Sequence, residues 1–243
     1  MLNIVKVSSD EQFNEVGAGI IAGLLQSNPR AILGLATGST PVGVYSHLIE
    51  LYQQGLVSFA QAQSFNLDEY IGLAADHPES YRRFMNDKLF NHVDIDLMNT
   101  HVPDGTAADP KKAALEYTRM LEDAGQVDLQ ILGIGHNGHI GFNEPADELQ
   151  ANTHVVELKK VTREANARFF NSIDEVPTHA MTMGIASILK SRQILLMARG
   201  ASKADILARA LTGPLTTQCP ASLLQTHPNV VVLVDQAAGG RLS

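Results

Sequence analysis

The chain has 243 residues, 44% of them apolar and 5% aromatic, with no Trp and a formal net charge of −8. That length suits one α/β domain with a sizeable core, and an acidic chain without a Lys/Arg run is a poor partner for nucleic acid or an anionic membrane. The scarcity of aromatic rings argues against base or sugar stacking as the main binding device, and the single Cys219 excludes an internal disulfide framework and fits a reducing compartment.

Residues 1–13 alternate like a strand and lack the regions of a signal peptide. No apolar run approaches the ~20 residues of a transmembrane helix, so a soluble, cytoplasmic protein is expected. Residues 4–7 read as the first strand. Ser8, Ser9 and Asp10 cap a helix whose apolar face runs Phe13, Val16, Ile20, Ile21, Leu24 and Leu25, and Asn28-Pro29 ends it. The apolar run 31–36 is a second strand, followed by Thr37-Gly38-Ser39-Thr40-Pro41 and a second helical pattern. Residues 62–67 form another strand, stopping at Asp68-Glu69. Asp76-His77-Pro78-Glu79 reads as a helix start leading to Tyr81, Phe84, Met85 and Leu89. Asp109-Pro110 opens a further helix that Gly125 closes. Residues 127–134 are a strand running into a Gly- and His-rich loop, and 193–198 and 229–234 complete the strands.

Apolar strands alternating with amphipathic helices predict an α/β fold: a mostly parallel sheet with helices on both faces, in a modified Rossmann-like three-layer architecture. No linker or repeat divides it, so residues 1–243 are read as a single domain. Ligands of such sheets bind outside the carboxyl ends of the strands. The most distinctive segments all follow strands, which points to one shared site.

Thr37-Gly38-Ser39-Thr40-Pro41 has the layout of a phosphate cradle at a helix N-terminus, or of an ordinary capped strand-to-helix turn. Arg199-Gly200-Ala201-Ser202-Lys203 repeats that logic with a capping Ser and a cation in the first helical turn. A Lys there opposes the helix dipole, which suggests an anion to be met, although a solvated Lys is the commoner case. Asp68 and Glu69 are adjacent carboxylates at a strand end; neighbouring side chains point opposite ways, so only one should face a pocket. Against apolar walls such a group suits general-base work, and in a surface turn it would be a helix cap.

The stretch from Gly133 to Pro145 packs glycines with His136, Asn137, His139 and Glu144. It offers donors, acceptors and histidine, the side chain that exchanges protons near neutral pH. His136, His139 and Glu144 could be read as metal ligands, but their spacing belongs to helical sites and no other cluster completes a sphere, so acid–base chemistry is favoured and no metal is expected. Residues 163–170 look like an amphipathic helix with Arg163 and Arg168, either solvated or clamping a phosphate.

Taken together and in order, the strings ATGSTPVGVY, FNLDEYIGL with HPESY, LGIGHNGHIGFNEP, THAMTMGIASIL and GASK resemble the glucosamine-6-phosphate deaminase family. The resemblance implies that Asp68 takes a proton from C2 of the open-chain sugar and delivers it to C1. It implies that His139 assists ring opening, that Glu144 orients that His with help from Asn137, and that Thr37, Gly38, Ser39, Thr40, Arg168 and Lys203 hold the 6-phosphate. The implied reaction converts glucosamine 6-phosphate and water to fructose 6-phosphate and ammonium, with no metal or organic cofactor and only a small molecule as partner.

Three departures bear on regulation. Many larger members have Asp where this chain has Asn137, which cannot ionise. The segment Asp147-Glu148-Leu149-Gln150-Ala151-Asn152-Thr153-His154 lacks the basic residues that the allosteric members carry after the Glu-Pro motif. The chain also ends at Ser243, soon after the last strand, where those members continue. No activation by an acetylated amino-sugar phosphate is expected, and a monomer and a small homo-oligomer remain open. The competing readings are a 6-phosphogluconolactonase, which shares the architecture, and a non-catalytic sugar-phosphate sensor. The sensor reading lacks a helix-turn-helix extension.

Overall fold

In the computed structural model, residues 2–167, 170 and 172–242 are described. β1 (Leu2–Val7) leads into α1 (Asp10–Ser27), capped by Ser9, whose hydroxyl accepts the Gln12 N–H at 3.1 Å. β2 (Ile32–Leu35), α2 (Ser39–Gln53) and β3 (Gln63–Asn66) follow. Then come β4 (Asp68–Tyr70), α3 (Tyr81–Lys88) and β5 (Thr100–His101). Asp109 caps α4 (Pro110–Ala124) by accepting from the Lys111 and Lys112 amides, both at 3.1 Å, and Gly125 closes it with a φ of 110°. β6 (Leu129–Leu132), β7 (His154–Glu157), α5 (Lys160–Asn166) and β8 (His179–Thr182) come next. The chain finishes through α6 (Ile185–Leu189), β9 (Gln193–Ala198), α7 (Ala204–Thr212) and β10 (Val230–Asp235).

Seven strands form the main sheet in the order β1-β10-β9-β6-β2-β3-β5, and every pairing is parallel. Leu195, Leu196, Val232 and Leu233 on β9 and β10 are buried although they point to opposite faces, as they must be where helices cover both sides. From β2 the chain steps outward through β3 to β5. It then returns to β6 on the other side of β2 and steps the opposite way through β9 to β10. That reversal opens a crevice between the carboxyl ends of β2 and β6, where such sheets bind ligands.

The sequence reading did not anticipate the second sheet, a three-stranded antiparallel unit ordered β4-β8-β7. The chain leaves β3 at Asn66 and pairs again at once, with Asp68 opposite Thr182, so Asp68-Glu69, read as the stop of the strand over 62–67, opens a strand of a different sheet. A small second core of Tyr70, Phe142, Leu158 and Ala180 lies against this sheet.

The helix expected to start at Asp76–Glu79 starts at Tyr81 instead. His77 folds the preceding turn by accepting the Glu79 amide on Nδ1 and the Ser80 amide on its carbonyl. Ser80 then takes the cap, its hydroxyl accepting from Arg83 N–H at 3.0 Å. The α4 cap gives a direct check on this reading of local structure. Asp109→Ala removes one acceptor shared by two amides and should cost about 1 kcal/mol. In thermal unfolding that is a drop of about 2–4 °C.

Candidate active site

A cleft of about 880 Å³ occupies the crevice. Its walls come from the ends of β2, β4, β6 and β9 and from α3 and α5, with Thr37–Thr40, Asp68, Tyr81, His139, Phe142 and Lys203 among them. The sequence-predicted residues Thr37, Gly38, Ser39, Thr40, Asp68, Asn137, His139 and Lys203 thus converge on one cavity. Glu144 reaches it through its contacts with His139 and Asn137. Arg168 lies outside the described residues. Its neighbour Arg163 is tied to the protein instead, donating from Nη2 to the Ile173 and Val176 carbonyls at 2.8 and 3.0 Å.

The turn after β2 reaches its shape through Gly38, whose φ of 95° suits only glycine. No side chain caps α2, and its first turn opens on the cleft, the arrangement that receives an anion. Arg199, which the sequence reading left unassigned, borders the same turn. It donates to the Thr40 carbonyl at 3.2 Å, pairs with Asp10 at 3.2 Å and lies 4.8 Å from the Phe13 ring centre. Lys203 ends a 3₁₀ turn (Ala201–Lys203) just before α7 rather than sitting in the helix's first turn, and the expected Ser202 cap does not form. The Lys203 ammonium donates to the Ile134 carbonyl at 2.7 Å, which draws it from solvent to the cleft.

Asp68 sits across the cavity at the start of β4, only 8% exposed. Burial, and then the neighbouring Glu69 charge, push its carboxyl up to about 8 from the ordinary 3.8. The alternation of side chains along a strand holds here: Asp68 lines the cleft, whereas Glu69 points behind the sheet and accepts backbone N–H groups of Tyr70, Tyr81 and Arg82.

The loop after β6 carries the second constellation. Asn137 spans it, its Oδ1 accepting the His139 amide at 3.1 Å and its Nδ2 donating to Glu144 Oε2 at 2.5 Å. An Asp at 137 would set a second carboxylate against Glu144, and one of them would have to hold a proton. The Thr162 hydroxyl, from α5, donates to Glu144 Oε1. His139 Nδ1 faces the same oxygen at 3.5 Å, too long for a well-aligned hydrogen bond. Burial raises the Glu144 carboxyl, but His139, Thr162 and Asn137 outweigh it and hold the group at about 2. Glu144 is therefore a fixed negative charge beside His139.

Sequence reasoning missed the aromatic wall. Few rings exist in the chain, yet Tyr70, Tyr81, Phe142 and Phe170 gather here, with Tyr81 and Phe142 stacked at 12° and 6.3 Å. Composition averages over the chain and cannot show such clustering. The Tyr in the Asp-Glu-Tyr string was the one available signal. Among the described residues no group of three His, Cys, Asp or Glu side chains is gathered as a metal site.

The glucosamine-6-phosphate isomerase/6-phosphogluconolactonase family matches residues 11–233. The chain is 49% identical over 237 residues to a glucosamine-6-phosphate deaminase of Geobacillus sp. (strain WCH70), covering 98% of this chain and 94% of that one. It is 50% identical over 242 residues to a glucosamine-6-phosphate deaminase of Shewanella woodyi, covering 100% and 92%. Among solved structures, a monomeric glucosamine-6-phosphate deaminase superposes with a TM-score of 0.96 at 44% identity, covering 98% of this chain and 99% of the other. The 6-phosphogluconolactonase of Trypanosoma brucei shares the fold, with a TM-score of 0.81 at 18% identity over 100% and 99% of the two chains.

The loop's seat can be tested at two glycines. A Cβ on Gly138, whose φ is 91°, would lie 2.5 Å from the buried Cys219 sulfur, whereas one on Gly133 would meet nothing within 4 Å. Gly138→Ala should cost about 1–3 kcal/mol. Gly133→Ala should change the melting temperature by no more than about 2 °C.

Proposed function

The chain belongs to the glucosamine-6-phosphate isomerase/6-phosphogluconolactonase family, and we propose that it is a glucosamine-6-phosphate deaminase with Asp68 as its carbon base. The observation that carries this reading is the buried Asp68 carboxylate, held at about 8, in the same cleft as a phosphate-type turn. The reaction needs a group that is a strong enough base to take a proton from carbon and is still ionised near neutral pH.

The 6-phosphate is held by the α2 N-terminal turn at Thr37–Thr40, by Lys203 and by Arg168. This grip lies away from the reacting carbons, so its binding energy orients C1 and C2 over Asp68. His139 relays a proton to the ring oxygen as the pyranose opens, and Glu144, fixed by Asn137 and Thr162, stabilises the imidazolium formed on the way. Asp68 removes the proton from C2 and returns it to C1. The amine-bearing carbon becomes an iminium, which water hydrolyses to the ketone and ammonium. The products are fructose 6-phosphate and ammonium, with atoms and charge balanced.

No helix among the described residues is long and apolar enough to cross a membrane, and we read the protein as a cytoplasmic enzyme. The 44%-identical solved deaminase is described as monomeric, which supports a monomer with hyperbolic kinetics and no acetylated-sugar effector.

The direct test is an assay with glucosamine 6-phosphate. Stoichiometric ammonium and fructose 6-phosphate, without hydrolysis of 6-phosphogluconolactone, are expected; the reverse pattern would assign the lactonase reaction. The acidic limb of kcat/KM should lie near pH 8, because the free enzyme's base must be ionised. The same group sets a stability window. Its folded value stands above its unfolded one, so ionising Asp68 costs stability as pH rises from 3.8 towards about 8, and costs nothing below that range. Asp68→Asn should therefore lose turnover yet melt at least ~2 °C above wild type at pH 8, and level with it at pH 4.

A further inference from the structure

We propose that Glu69 is a positioning residue for this reaction: from the rear of β4 it ties the strand that carries Asp68 to the first turn of α3, whose Tyr81 and Phe84 wall the cleft. The proposal rests on the reading of Asp68 as the base.

Glu69 is 3% exposed and takes no part in the cleft surface. Its Oε1 accepts the Tyr70 and Tyr81 amides, both at 2.9 Å, and its Oε2 accepts the Arg82 amide at 3.0 Å. Tyr81 and Arg82 are the first two residues of α3, and Ser80 serves only the third, Arg83. Glu69 thus supplies, from a different element, the acceptors that the start of a helix lacks. The Arg82 guanidinium is engaged elsewhere, donating to the Thr100 hydroxyl at 2.7 Å and the Thr100 carbonyl at 2.8 Å. On the remaining side Gly105 packs so closely that a Cβ would fall 2.0 Å from the Tyr70 carbonyl and 3.3 Å from Glu69 Cγ. Both oxygens of the side chain are thus held by backbone amides.

A hydroxyl or amide could satisfy two helix amides. A carboxylate in an enclosed site is the costlier choice, and it stands next to the one group whose proton affinity matters. Its negative charge disfavours a second negative charge on Asp68. The charged and titratable groups facing the pair are Arg82, Tyr70 and Tyr81, with Tyr117 of α4 on the Asp68 side. Among these only Arg82 bears positive charge, and it acts on Glu69. Glu69 therefore fixes where the base stands and adds to burial in how tightly it holds its proton.

The test compares Glu69→Gln and Glu69→Asp with wild type in glucosamine 6-phosphate turnover. Glu69→Gln keeps the shape and loses the charge. The acidic limb of kcat/KM should move down by about 0.5–1 pH unit, and kcat should fall about tenfold. KM should stay within about twofold, because the phosphate grip is remote. Glu69→Asp keeps the charge and loses reach: kcat should fall with the limb unmoved. In the wild-type protein the Asp68 and Glu69 carboxyl ¹³C resonances should each titrate in two coupled steps. Wild-type kcat and limb in Glu69→Gln would overturn the proposal. So would independent single-step titrations in wild type, a result that needs no variant to fold. Turnover retained in Asp68→Asn would instead remove the base assignment, so the two failures are distinguishable.

Discussion

The site depends on one constraint: a carboxylate must be kept out of water while remaining able to ionise. Asp68 meets it by its place in the chain. The strand β3 belongs to the parallel sheet, and two residues after it ends, β4 pairs with β8. A residue at that junction is covered by two sheets at once, yet one side faces the crevice. Burial, and after it the neighbouring Glu69 charge, then raise its proton affinity.

The other parts of the cleft follow from the same topology. The reversal of strand order between β2 and β6 brings the Gly38 turn and the His139 loop to the two sides of the crevice. Two carboxylates at the cleft, Asp68 and Glu144, are driven in opposite directions by their surroundings. Asp68 has few compensating donors and is held near 8, whereas Glu144 is satisfied by Asn137, Thr162 and His139 and is held near 2. On the proposed reading, that separation suits one to move a proton and the other to remain charged. Glu69 extends the division: its three amide bonds spend its charge on geometry.

Much of this was legible in the sequence, because the main sheet and its helices announce themselves by period. Residues 193–198 were read to the residue, and the Asp109 and Gly125 boundaries held, since each rests on local capping chemistry. The small sheet was not legible. His154–Glu157 and His179–Thr182 are four residues each, mix polar with apolar, and gain their strand character only by pairing with each other and with β4. The start of α3 was misplaced for a similar reason: the cap that decides it comes from Ser80 and from Glu69, twelve residues before Tyr81. Alternation told that only one of Asp68 and Glu69 could face a pocket, and family resemblance pointed to Asp68. The aromatic wall and the use of Arg199 emerged only in three dimensions, being properties of proximity rather than of order.

The central claim is that one buried carboxylate moves the proton from C2 to C1. It is tested most directly with glucosamine 6-phosphate deuterated at C2, incubated in ordinary water. The account predicts that the wild-type protein carries part of that deuterium to C1 of fructose 6-phosphate and exchanges the rest. It predicts that Asp68→Asn binds the sugar but leaves the C2 label in place. Loss of the C2 label by Asp68→Asn at the wild-type rate would contradict it.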